Sequence, residues 1–91
     1  MAGGVSVSNG ATFTMHGGTI SGNTAYINGG GVSIASGGTF NMYGGTISGN
    51  IVNMGNGGGV GIDGAGTAGG TFNMHGGTIS GNTPDDVYPV N

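Results

Sequence analysis

The sequence predicts an all-β protein, a right-handed parallel β-solenoid (β-helix) of three coils, about 27–32 residues each, with three short strands per coil. Three observations carry that reading. One set of motifs occurs three times in the same order. Apolar residues hold fixed places inside each set. Glycine, 26 of 91 residues, clusters at the joints between them.

The repeats come first because they decide the fold. Gly3-Gly4-Val5-Ser6-Val7 returns as Gly30-Gly31-Val32-Ser33-Ile34 and as Gly58-Gly59-Val60-Gly61-Ile62. Thr12-Phe13-Thr14-Met15 returns as Thr39-Phe40-Asn41-Met42 and Thr71-Phe72-Asn73-Met74. The stretch from Gly17 to Asn23 returns unchanged at 44–50 and 76–82. The first two copies are offset by 27 residues throughout, whereas the next offset is 28 at Val32 to Val60 and 32 at Phe40 to Phe72. The added residues fall near 51–56 and 63–68, in turns, where stacked coils tolerate insertion. Coil 1 is therefore expected at 2–28, coil 2 at 29–56 and coil 3 at 57–83, with a tail at 84–91.

Each motif reads as a half-buried strand. Val5–Val7, Thr12–Met15 and Thr19–Ser21, with their counterparts, alternate apolar and small polar residues. Glycine pairs and Ser/Asn-Gly steps bound them and supply the positive φ that tight turns need. No stretch escapes glycine long enough to nucleate a helix. Glycine does not recur at every third position, which excludes collagen. The regular apolar places argue against a disordered tract.

Three short strands cannot enclose a core. If coils stack at ~4.8 Å, each strand pairs in parallel with its counterpart and equivalent residues form columns. The expected inward columns are Val5/Val32/Val60, Val7/Ile34/Ile62, Phe13/Phe40/Phe72, Met15/Met42/Met74 and Ile20/Ile47/Ile79. Asn23/Asn50/Asn82 are expected to form an asparagine ladder, amide upon amide. Right-handed winding follows from the preferred hand of parallel crossovers.

Composition narrows the function. The chain has no lysine or arginine and a formal charge of −3 from Asp63, Asp85 and Asp86. Nucleic acid is excluded as a partner, because nothing neutralises phosphate. Polybasic membrane attachment fails for the same reason, and no apolar run approaches the ~18 residues of a spanning helix. Without cysteine there is no disulfide or thiolate chemistry. Met1-Ala2-Gly3-Gly4 has neither the basic nor the apolar region of a signal peptide.

The Gly-Gly-Val motifs at 3–5, 30–32 and 58–60 and the Ile-Ser-Gly-Asn motifs at 20–23, 47–50 and 79–82 resemble the repeats of polymorphic outer-membrane-protein-like bacterial surface adhesins. That family alternates Gly-Gly-apolar with Phe-x-x-Asn tetrapeptides, and isoleucine here stands in place of phenylalanine. The ending Asn82-Thr83-Pro84-Asp85-Asp86-Val87-Tyr88 is similar to the close of such repeat blocks. The resemblance covers roughly residues 3–88. It implies a β-helical surface passenger concerned with adhesion.

Several residues invite chemical readings that the pattern does not sustain. His16 and His75 share one repeat position, but Tyr43 lies between them, which separates the imidazoles by two coils, ~9.6 Å. A metal pair is not expected, and the position reads as an exposed turn. Gly58-Gly59-Val60-Gly61-Ile62-Asp63 resembles the start of a calcium-binding nonapeptide, but that motif works only in tandem and the other coils have no aspartate there. Gly59, Gly61 and Gly64 match a dinucleotide fingerprint without the helix it requires. Asp85 and Asp86, adjacent in an extended chain, point apart. No serine–histidine–carboxylate set is present. No enzyme, cofactor or metal is expected.

The expected function is structural. A three-coil stack is only ~14 Å deep and exposes an unpaired rung at each end. Coils 1 and 3 carry the same column residues, so copies can stack head-to-tail into an open filament, a homopolymer. Such a fibre is expected outside the cell or on a bacterial cell surface. The alternative is an adhesin or autotransporter passenger segment that binds a glycan or host protein. A third reading, ice binding, rests on the outward columns Thr12/Thr39/Thr71, Thr14/Asn41/Asn73, Thr19/Thr46/Thr78 and Ser21/Ser48/Ser80.

Overall fold

The computed structural model of the chain describes residues 3–26, 29–55, 57–62 and 69–88. Asp63, most of the insertion around it and residues 89–91 of the expected tail lie outside the described residues. The described chain is all-β: β1 (Val5–Val7), β2 (Thr12–Met15), β3 (Thr19–Ser21), β4 (Thr24–Ala25), β5 (Val32–Ile34), β6 (Thr39–Met42), β7 (Thr46–Ser48), β8 (Ile51–Val52), β9 (Val60–Ile62), β10 (Thr71–Met74), β11 (Thr78–Ser80) and β12 (Val87–Tyr88).

Every strand pairs in parallel with its counterpart one coil away. The sheets run β1-β5-β9-β12, β2-β6-β10, β3-β7-β11 and β4-β8. The register matches like with like: Val5 with Val32 and Val32 with Val60, Phe13 with Phe40 and Phe40 with Phe72, Ile20 with Ile47 and Ile47 with Ile79. This is a parallel β-solenoid.

One departure from the expected three strands per coil is a fourth corner. Coils 1 and 2 each have a fourth strand, β4 and β8, where Thr24 pairs with Ile51 and Ala25 with Val52. Ala25 and Val52 are buried, so this corner of each coil contributes to the interior. The tail joins the stack. Val87 pairs with Val60 and Tyr88 with Gly61, so β12 starts a fourth coil. A two-residue apolar strand placed over Val60 is stabilised by covering that core column.

The core is built from the middle of the stack outward. Val32, Ile34, Phe40, Met42, Ile47 and Val60 are wholly buried, as are Val7 and Met15 to within a few per cent. Val5, Phe13, Ile20, Ile62, Phe72, Ile79 and Val87 pack against this cluster and are partly open. Met74 keeps its register with Met42 but is 47% exposed, because no described residue covers that end of its column. The phenylalanine column is a stack of nearly parallel rings, with centroids 5.0 Å apart for Phe13–Phe40 and 5.1 Å for Phe40–Phe72. Burial of one such ring contributes about 1.5–3 kcal/mol.

Glycine is required where coils touch backbone to backbone. A Cβ on Gly31 would lie 2.7 Å from the Gly59 carbonyl oxygen, 2.9 Å from Ile47 Cγ2 and 3.0 Å from Asn50 Nδ2. Gly4 meets the same three kinds of atom one coil earlier. The Gly-Gly motif therefore marks the place where the start of one coil, the end of the same coil and the start of the next converge.

Candidate functional site

Asn50 is wholly buried and Asn82 nearly so, at a corner of the coil. Gly22, Gly49 and Gly81, with φ of 67°, 64° and 66°, turn the chain just before each ladder asparagine and aim it inward. Asn23 donates its backbone N–H and Nδ2 to Asn50 Oδ1, both at 3.0 Å. Asn50 repeats both bonds to Asn82 Oδ1 at 2.9 Å. Each inner amide also donates backwards, Asn50 Nδ2 to the Ile20 carbonyl at 3.1 Å and Asn82 Nδ2 to the Ile47 carbonyl at 3.0 Å. One side chain thus ties three successive coils. Among the described residues no buried side-chain nitrogen or oxygen lacks a partner. The ladder is therefore satisfied, which is the condition for a buried polar array to stabilise.

The ladder does not stop at Asn82. Its backbone N–H and Nδ2 donate to Asp86 Oδ1 at 3.1 and 3.0 Å. A carboxylate oxygen occupies the place that the next asparagine oxygen would take. The backbone beside it repeats the Gly-Gly motif. Val60 N–H donates to the Asp86 carbonyl at 2.8 Å as Val32 N–H donates to Gly59, and Gly59 N–H donates to the Asp85 carbonyl at 3.1 Å as Gly31 N–H donates to Gly58 at 2.9 Å. Asp85 and Asp86 hold the places of Gly58 and Gly59 one coil further on. The glycine geometry explains the substitution. A Cβ in that place points at the ladder amide of the same coil, so an aspartate there delivers its carboxylate into the ladder. Sequence reasoning treated Asp85 and Asp86 as one extended pair, and only Asp86 meets the ladder.

The flanks carry polar columns. Thr12, Thr14, Thr19 and Ser21 are exposed, and Thr39, Asn41, Thr46 and Ser48 of the middle coil are half-exposed between their neighbours. Asn73 Nδ2 donates to Asn41 Oδ1 at 2.9 Å in a second, exposed ladder that Thr14 does not extend as an amide. His16, Tyr43 and His75 form a stack of exposed rings. Centroids are 5.3 Å apart for His16–Tyr43 and 4.6 Å for Tyr43–His75, with interplanar angles of 12° and 9°. The position is a ring ladder rather than a set of independent turn residues. Among the described residues no three His, Cys, Asp or Glu side chains converge to hold a metal ion, and no helix is long and apolar enough to cross a membrane.

The two ends of the stack complete the site. Among the described residues, β1, β2, β3 and β4 present unshared edges at one end, with Val5, Phe13 and Ile20 half-open behind them. At the other, no described strand pairs with the outer edges of β10 and β11, while the edge of β9 is taken by β12. The fold defines a class, the parallel β-solenoid. Comparison with known proteins finds no matching family model, no similar curated protein and no similar solved structure.

Proposed function

We propose that the chain is a non-enzymatic structural protein whose copies stack head-to-tail by parallel β-pairing into a filament outside the cell or on a bacterial cell surface. One observation supports this above the others. The last coil's edge at β9 takes a further parallel strand, β12, in the register that the coils use among themselves. A whole first coil brings four such strands, and with them the half-buried Val5, Phe13 and Ile20 to set on Val60, Phe72 and Ile79. Open edges backed by apolar side chains are templates for pairing, and a heterologous contact that does not close gives a filament. The scarcity of charge leaves little to oppose it.

A second reading, a surface-adhesin segment that binds a glycan or host protein, is supported by the exposed His16–Tyr43–His75 stack and the Thr, Ser and Asn columns beside it. It shares the solenoid and differs in which surface acts. Electron micrographs and light scattering of the purified protein over a concentration series separate the two. Unbranched filaments of uniform width support self-assembly. A folded monomer at every concentration, together with binding on a glycan array, supports the adhesin.

A further inference from the structure

The end of the stack that would receive a second copy is already occupied by the chain itself. A copy docking in register would lay its Gly3-Gly4-Val5 along Gly58-Gly59-Val60, and its Asn23 oxygen would accept from Asn82. Both places are filled. Asp85, Asp86, Val87 and Tyr88 lie along the coil-3 strand where residues 3–6 of the copy would lie, with the same main-chain bonds. Asp86 Oδ1 accepts the two bonds from Asn82 that the copy's Asn23 would otherwise accept. We propose that the β9 edge with Asn82 is the seat for the first strand of a second copy, and that residues 84–88 are an intramolecular stand-in that keeps the seat closed.

The stand-in is poorer than what it imitates. Among the described residues it covers one sheet of the coil and leaves β10 and β11 open. Its carboxylate accepts but cannot donate, so the ladder that Asn23 and Asn50 pass on ends at Asp86. A further coil cannot be laid over it unchanged. The side chain of Asp86 fills the space that at Gly31 must stay empty for the next carbonyl and amide. An incoming copy therefore has to displace the strand. It replaces the short pairing of β12 by a full coil with a donating asparagine. Assembly is then expected to show a lag set by release of residues 84–88.

The inference rests on the head-to-tail function, and the test separates the two. In the full chain, which has no cysteine of its own, Val60→Cys with Val87→Cys places a pair at in-register positions of neighbouring parallel strands, ~4.8 Å apart and within the range a disulfide spans. Cysteine is a small, core-compatible side chain. A second variant, Asp86→Ala with Val87→Asp, removes the ladder acceptor and puts a carboxylate on the apolar column, which expels the strand. Filament growth is followed by scattering and micrographs, and the fold by circular dichroism. The expected order is loss of assembly in the oxidised cysteine variant, recovery on reduction, and growth at least about tenfold faster than wild type in the expelled variant, equivalent to about 1.4 kcal/mol. Equal growth of the oxidised and reduced forms, or no acceleration on expulsion, overturns the seat and leaves the filament standing. Folded wild type and expelled variant that both stay monomeric overturn the filament function and the seat with it.

Discussion

Asn50 Nδ2 donates to Asn82 Oδ1 across 2.9 Å, with Asn50 wholly buried and Asn82 nearly so. Asn50 also receives two bonds from Asn23 and reaches back to the Ile20 carbonyl. Removing it strands donors and acceptors in three coils at once. Asn50→Ala is expected to cost about 3–5 kcal/mol, since each buried group left without a partner costs about 1–3 kcal/mol. Asn23→Ala, in the half-buried first coil, is expected to cost no more than about half as much. Chemical denaturation of both variants checks the difference, and equal losses would contradict a ladder centred on Asn50.

Phe40 is covered on both faces by Phe13 and Phe72, whereas each of those is covered on one. Phe40→Ala is expected to cost about 3–5 kcal/mol. That approaches the whole stability of a domain this size, about 5–13 kcal/mol. Phe13→Ala and Phe72→Ala are expected to cost about half as much and to leave a folded chain. Thermal melts of the three variants report the order.

Gly31 has no room for a methyl group, and the atoms it would strike include a backbone carbonyl. Gly17, by contrast, faces open space. Gly31→Ala is expected to destabilise by more than about 3 kcal/mol, because neither coil can give way without breaking the pairing of Val32 with Val60. Gly17→Ala is expected to stay within about 0.5 kcal/mol of wild type. Similar melts for the two would mean that coils are not in contact at the Gly-Gly motif.

Asp86 serves the ladder through one acceptor oxygen. Asp86→Asn keeps that oxygen and is expected to change stability by less than about 1 kcal/mol. Asp86→Ala removes it and is expected to cost about 1–3 kcal/mol, the range for leaving a buried donor without a partner. Amide hydrogen exchange locates the effect. The Asn82 backbone N–H is expected to lose protection in the alanine variant and to keep it in the asparagine variant.

What the sequence made legible follows from repetition. Val5, Phe13, Met15, Ile20 and Asn23 recur with their neighbours, so a column is visible before any coordinate. The fourth corner was hidden because Thr24-Ala25 and Ile51-Val52 share no residue type. Pairing there is dictated by backbone geometry and burial, which tolerate varied side chains. The role of Asp86 was hidden for a similar reason. It replaces a glycine in the chain path and an asparagine in the ladder, so it aligns with neither. The one available signal was positional: Val87 follows Asp85-Asp86 as Val60 follows Gly58-Gly59. The ring stack of His16, Tyr43 and His75 was visible as a shared repeat position, but histidine and tyrosine differ in chemistry and agree only in shape, and stacking uses shape.

Fibre diffraction from aligned wild-type filaments tests most directly whether one coil is completed by another across the boundary between chains. Head-to-tail stacking places the strand spacing, ~4.8 Å, along the filament axis, so a sharp meridional reflection is predicted there. A reflection of that spacing on the equator, or filaments without it, would contradict stacking of successive copies coil upon coil.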